Sequence, residues 1–155
     1  MVIHYLKGDA TAPIGDGQKA IIHVCNDIGA WGAGFVLALS KKWPQPEAQY
    51  RAWSKAKTNF TLGYVQPVRV SEDITVINMI GQKGIRSFQN EIPLRYDALE
   101  TCLTKVAGYC NQKNMSVHMP RIGCGLAGGD WDKVEAIINK TLISNGLEVY
   151  VYDFE

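Results

Sequence analysis

Residues 19–34 read Lys-Ala-Ile-Ile-His-Val-Cys-Asn-Asp-Ile-Gly-Ala-Trp-Gly-Ala-Gly, and this stretch decides the fold class. Ala20 to Cys25 is apolar at nearly every position, the pattern of a strand buried on both faces. Gly29, Gly32 and Gly34 break that run, and from Phe35 to Lys42 the spacing turns helical until Pro44 ends it. The same order returns later in the chain. Ser116 to Pro120 reads as a short strand and Ile122 to Gly129 as a second glycine loop. Asp130 then stands at a helix N-cap position before an inner face of Val134, Ile137, Ile138 and Leu142.

Between and around these two units the signals are weaker but consistent. Val2 to Tyr5 is a strand candidate ending at Lys7-Gly8-Asp9, and residues 45–57 contain a helix bearing Tyr50 and Trp53. Residues 62–70 and 74–80 read as an antiparallel pair joined around Ser71-Glu72-Asp73. Residues 81–92 form a polar loop without a period. Pro93 suits the first turn of a helix whose buried stripe is Leu99, Cys102, Leu103, Val106 and Cys110. Gly146 reads as a C′ residue, and residues 148–153 as a terminal strand. The expectation is a three-layer α/β/α fold in which a mixed, mostly parallel sheet carries helices on both faces. No linker or repeat divides the chain, so residues 1–155 are expected to form one domain.

Composition narrows the function classes. Lys and Arg number 16 against 15 Asp and Glu, for a net charge of +1, with no basic run. Non-specific nucleic-acid binding rests on many phosphate contacts, so no such patch is expected. No apolar segment approaches the roughly 20 residues that span a bilayer, and no secretion signal opens the chain. Cys25, Cys102, Cys110 and Cys124 lack metal-ligand or disulfide-framework spacing, as do His4, His23 and His118. A cytoplasmic, soluble monomer without metal or cofactor is the expectation.

The two glycine loops carry the chemistry. Ligands of open α/β sheets bind beyond the carboxyl ends of the strands, and both loops sit there. Amides at a helix start are unpaired and carry positive partial charge, which suits phosphate. Glycine lets the backbone approach an oxyanion closely. Two such loops facing one crevice would hold a pyrophosphate. Glycines also serve capping and close packing, and spacing alone leaves that alternative open. Neither loop is followed by the Lys-Ser or Lys-Thr of a Walker motif, and neither has the acidic residue that the dinucleotide fold places on a second strand.

Four segments together resemble the macrodomain family. They are Lys7-Gly8-Asp9, His23-Val-Cys-Asn26 with Trp31-Gly-Ala-Gly34, Met119-Pro-Arg-Ile-Gly-Cys-Gly-Leu126, and Tyr152-Asp-Phe154. The likeness runs nearly the whole length and is strongest to the terminal ADP-ribose glycohydrolase and ALC-type branch, with similarity to ADP-ribose-1″-phosphate phosphatase. It implies that ADP-ribose, or a substrate carrying it, is the partner. Asp9, beside Gly8, would accept from the adenine amine while the Ala10 amide meets a ring nitrogen, and Phe154 would pack on the base. Phosphate contacts would come from Gly29, Gly32, Ala33 and Gly34, and from Ile122, Gly123, Cys124, Gly125, Leu126 and Ala127. Asn26 would face the distal ribose.

Each of these has a plainer alternative. Asp9 is also a turn residue, Phe154 a terminal anchor, and Asn26 a tie for its loop. Trp31 either covers the ribose or packs on Phe35. His23, inside an apolar strand, reads as a core histidine, and Cys124 as a backbone contributor rather than a nucleophile. The branch's lysine and aspartate fall on Gln82 and Ala127, and neither side chain can do that chemistry. Candidate substitutes are Lys83 after a one-residue shift, Asp130 and Asp27, alongside Asn26. Asp130 also reads as a helix cap, and Asp27 as an exposed loop carboxylate. A hydrolase acting on an ADP-ribose derivative and a non-catalytic reader of ADP-ribose are the two functions the resemblance implies.

Overall fold

The computed structural model describes residues 2–154. Six strands, β1 (Ile3–Lys7), β2 (Gln18–Asn26), β3 (Val65–Arg69), β4 (Ile74–Gln82), β5 (Met115–Met119) and β6 (Val149–Asp153), form one sheet in the order β1-β6-β5-β2-β4-β3. Every neighbouring pair is parallel except β3 and β4. The helices are α1 (Phe35–Lys42), α2 (Gln45–Ala56), α3 (Tyr96–Lys113) and α4 (Trp131–Thr141). This is the mixed, mostly parallel α/β/α architecture that the sequence pattern calls for.

Alternation along β2 explains the two layers. Ala20 and Ile22 point to one face, where they join Ile77, Met79 and Val117 beneath α3 and α4. Ile21 and Cys25 point to the other, where Val76 and the inner residues Val36, Leu39 and Tyr50 of α1 and α2 meet them. A strand sandwiched this way must be apolar on successive residues, which is why β2 and β4 read as continuous runs. Pro67 is accommodated in β3 because that strand lies at the sheet edge.

Several strand ends shift by one to three residues, and three further differences have a physical reason. Pro93 is not in the first turn of α3, which begins at Tyr96. Residues 93–95 run extended against the sheet instead, where the Leu94 amide donates to Ala127 O and the Arg95 amide to Gly81 O. The polar loop starts later than position 81, because β4 continues through Gln82. Gly146, at φ 79°, closes a 3₁₀ turn (Ile143–Asn145) that follows α4 rather than α4 itself. Among the described residues no helix is long and apolar enough to cross a membrane.

Strands β2 and β5 are hydrogen-bonded parallel neighbours, so both run to the same edge of the sheet, with β2 continuing to Asn26 beyond the last paired residues, Ile21 and His118. The chain leaves β2 for α1 on one face and leaves β5 for α4 on the other. Opposite departures from adjacent parallel strands open a crevice between the two loops.

Candidate functional site

Three connected segments make up that crevice. The middle one, about 340 Å³, is walled by Ala33 and Gly34 of the first loop and by Ile122, Gly123, Gly125, Leu126 and Ala127 of the second. Backbone amides of Trp31 to Val36, and of Gly125 to Ala127, donate to no protein acceptor in the turns and caps among the described residues. Gly34 is the N-cap of α1 at φ 96°, and no side chain caps that helix. The positive end of α1 is therefore presented bare to the crevice.

The loop glycines do two different jobs. A Cβ built on Gly29 would lie 2.1 Å from Ser54 Oγ, and one on Gly129 would lie 2.6 Å from Gly123 O. Gly123 and Gly128 are similarly shut in, against Leu94 Cδ2 and Glu91 O. These four are required for the chain to pack. Gly32 and Gly125, by contrast, have nothing within 4 Å of a built Cβ. Their missing side chains leave open space on the loop surface, at Gly125 facing the crevice.

Asn26 shapes the first loop. Its Nδ2 donates to Ala30 O at 2.6 Å, while Oδ1 accepts from the Ile28 and Ala30 amides and from the Tyr50 hydroxyl. The side chain is buried, so its role as a tie is visible directly, and it still lines the distal segment. Trp31 is buried too, donating Nε1–H to Ser40 Oγ and packing on Tyr50 and edge-on to His23. His23 lines the middle segment but is enclosed by its neighbours. Asn78 Nδ2 donates to Pro46 O and Gln66 Oε1, so Asn78 Oδ1 accepts from His23 Nε2–H at 2.6 Å. Burial pushes the imidazole pKa down to about 4, outweighing that bond. It is a neutral core histidine.

The second loop is anchored from outside. Arg121 makes a bidentate pair with Asp153 at 2.8 and 2.9 Å and lies over the rings of Tyr5 and Trp131. Cys124 does not line the crevice, and burial, then the Asp130 charge, push its thiol pKa up. That is the opposite of an activated nucleophile.

At one end the crevice continues into an apolar slot of about 370 Å³ between Ala10, Phe35, Pro120, Tyr152 and Phe154, with Gly8 and Asp9 at its rim. Asp9 Oδ1 accepts from the Thr11 amide and hydroxyl at 2.8 and 2.7 Å. Desolvation alone would raise its carboxyl pKa, but those bonds and the Lys42 charge hold it below the ordinary value. The second oxygen, Oδ2, has no partner among the described residues. Phe154 is mostly exposed, and Tyr152 is buried with its hydroxyl bonded to His118 Nδ1. Sequence reasoning missed Phe35, Pro120 and Tyr152 here, although Phe35 as the first residue of the helix after a glycine loop was a usable signal.

The opposite end opens into a distal segment of about 300 Å³ containing Asn26, Gln82, Ile85, Arg86 and Leu126. Gln82 Nε2 donates to Gly84 O, which leaves its carbonyl oxygen as an acceptor. None of the three charged catalytic candidates lines any of the three segments. Asp27 Oδ1 turns away to accept from the Gly84 amide at 2.8 Å, and with Lys83 it lines a neighbouring hollow. Asp130 accepts from the Asp132 amide at 3.0 Å and caps α4. The backbone claims both carboxylates.

No family model matches the chain. A solved protein of unknown function from Bacteroides thetaiotaomicron is 57% identical, with a TM-score of 0.96, covering 99% of this chain and 98% of that one. A macrodomain protein from Streptomyces coelicolor is 51% identical with a TM-score of 0.88, over 97% of this chain and 98% of its own. Among curated proteins, the zebrafish (Danio rerio) chromodomain-helicase-DNA-binding protein 1-like is 32% identical over 97% of this chain, and the mouse (Mus musculus) counterpart 30% over 98%. The chain spans only 15% and 18% of those two. The ADP-ribose 1″-phosphate phosphatase of Lodderomyces elongisporus is 27% identical, over 99% of this chain and 100% of its own length.

Proposed function

This chain belongs to the macrodomain family, and from that premise we propose that its crevice binds ADP-ribose and hydrolyses a bond between the distal ribose and a further group. The observation that carries the reading is the convergence of unpaired amides from two loops on one segment of the crevice. A diphosphate satisfies both sets at once. The flanking segments then fit the rest of the molecule: adenine in the apolar slot, its amine donating to Asp9 Oδ2, and the distal ribose beside Asn26 and Gln82. A carboxylate only accepts, so it favours an amino purine over one carrying a carbonyl there.

The end-to-end likeness to an ADP-ribose 1″-phosphate phosphatase supports turnover. ADP-ribose-1″-phosphate or an ADP-ribosyl ester on protein is the proposed substrate, handled by a cytoplasmic monomer. With no lysine or carboxylate among the described residues lining the distal segment, the chain's contribution is positional. Bound diphosphate fixes the ribose, the Gln82 carbonyl accepts from an incoming water, and Arg86 faces the departing oxyanion. Water's oxygen becomes the 1″-hydroxyl, the ester oxygen leaves with its phosphate or carboxylate, and the proton passes to solvent. That same lack of a charged base favours a second reading, a non-catalytic reader of ADP-ribose.

Incubating purified protein with ADP-ribose-1″-phosphate and with mono-ADP-ribosylated protein separates the two. The hydrolase reading expects product from at least one, and a loss of turnover in Gln82→Ala with ADP-ribose affinity retained. Tight ADP-ribose binding without product above the buffer blank leaves the reader. Absence of ADP-ribose binding refutes both.

A further inference from the structure

Beyond the distal segment the surface is apolar in a way that a nucleotide does not require. Ile28, Ile85, Ile92 and Leu126 are each more than half exposed, and Phe88 is 95% exposed. All five belong to the loop at 83–92 or to the two glycine loops that flank it. Ile85 and Leu126 wall the distal segment, Ile28 lines the adjoining hollow, and Ile92 lies against Gly128 of the second loop. Scattered exposed apolar residues are ordinary, but a collar of five on the loops beside a cleft marks a contact surface.

The loop bearing Phe88 is built to keep its shape. Its neck is closed by the Lys83 amide donating to Pro93 O at 2.9 Å and by pairing of Gln82 with Leu94. Inside, Asn90 Nδ2 donates to Lys83 O and Ile85 O, and Arg95 donates to Asn90 Oδ1, Ile92 O and Pro93 O. Ser87 and Asn90 exchange both amide bonds, which leaves Phe88 and Gln89 at the tip of a tight turn. A braced loop that holds a bare phenyl ring in water has a ready-made anchor for a partner.

Resting on the ADP-ribose reading above, we infer that this collar binds the polypeptide to which ADP-ribose is attached, with Phe88 as its anchor. The chemistry favours polypeptide over nucleic acid. Single strands are held by several stacking rings along a cationic groove, whereas this collar has one ring among four aliphatic side chains. Around it Lys83, Arg86 and Arg95 outnumber Asp27 and Glu91, and Lys83 and Arg86 enter no ion pair among the described residues. They suit acidic side chains flanking the modified one, while the aliphatic rim takes its apolar neighbours. Phe88 lines none of the three segments assigned to ADP-ribose, so binding of the free nucleotide is not expected to depend on it.

The test compares binding of free ADP-ribose with binding of an acidic peptide that carries ADP-ribose through a hydrolysis-resistant linkage. Parent protein is expected to bind the conjugate about tenfold or more tightly than free ADP-ribose, and Phe88→Ser to erase that gain while leaving free ADP-ribose affinity unchanged. Phe88 is so exposed that the variant keeps its fold. Equal binding of conjugate and free ADP-ribose by the parent overturns the collar alone. So does a gain that Phe88→Ser leaves intact, or one shown only by an ADP-ribosylated single-stranded oligonucleotide. Failure to bind either ligand removes the ADP-ribose reading itself, and the collar with it.

Discussion

Replacing Gly125 by glutamate is the sharpest perturbation of the phosphate segment, because the structure isolates its effect. Gly125 has no positive φ, and a built Cβ meets nothing within 4 Å, so a side chain enters without backbone strain or collision. The same change at Gly123 or Gly129 would drive a Cβ to 2.8 or 2.4 Å from Leu94 Cδ2 and test packing instead. From Gly125 the carboxylate reaches the space bounded by Ala33, Gly34 and Leu126. At about 5 Å from a phosphate charge and an effective dielectric near 20, repulsion is about 3 kcal/mol. Displacing one amide–phosphate bond adds roughly 1.5–3 kcal/mol. Together these predict a loss of ADP-ribose affinity of about a thousandfold or more. Calorimetry with ADP-ribose measures it, with thermal unfolding as the control for the fold, and Gly125→Ala should stay within a few-fold of the parent. A well-folded glutamate variant that binds like the parent would mean that phosphate does not sit between the loops, and the functional reading would fall.

Three further outcomes follow from the same geometry. Asp9→Ala should weaken ADP-ribose by about 1–3 kcal/mol in calorimetry, the worth of one charge-assisted bond, since Thr11 engages only Oδ1. Equal affinity would remove Asp9 from the adenine slot. Asp130→Ala should cost about 1 kcal/mol in denaturant unfolding as a lost helix cap and leave any turnover unchanged; a fall in turnover at constant stability would return it to the catalytic candidates. His23 and His118 are buried and neutral, with pKa values lowered from 6.5 to about 4 by burial. The unfolded chain then binds more protons, so their stability contribution is complete above pH 6.5 and is lost as pH falls towards 4. The expected loss between pH 7 and pH 5 is about 2 kcal/mol for each histidine, read as a lower unfolding midpoint, and His118→Gln should flatten the slope.

Much of the fold was legible because β2 and β4, being covered on both sides, announce themselves as unbroken apolar runs, while the helices show single buried stripes. The extended stretch at 93–95 was not legible, since Pro93 fits a helix start as well as it fits a strand edge. Only the acceptors at Gly81 and Ala127 decide between the two. The crevice was read from glycine spacing, yet spacing cannot tell Gly125 from Gly129. One lacks a side chain to leave room for a ligand, the other to leave room for Gly123 O. Asp27 and Asp130 stand outside the crevice for a physical reason: carboxylates at loop ends are attractive to bare amides of the chain itself. Gln82 entered only by its correspondence with a missing lysine, and its place in the crevice depends on β4 running one turn of pleat further than the pattern suggests.

Among the described residues no lysine or carboxylate lines the distal segment, so in the proposed complex catalysis has to come from position. If position alone drives hydrolysis, rate depends on how firmly the ribose and its leaving group are held. The phosphate segment holds one side of that bond. In the proposed complex Arg86 is the one charged side chain lining the distal segment among the described residues, so further hold on a leaving polypeptide has to come from the surface beyond it. A contact outside the crevice would therefore act on turnover as well as on affinity. For a polypeptide substrate, Phe88→Ser should lower kcat as well as raise KM, whereas for ADP-ribose-1″-phosphate it should change neither. A variant that raises KM for the polypeptide and leaves kcat untouched would show that the collar gathers substrate without aligning it, and the source of alignment would have to be sought at Asn26 and Gln82.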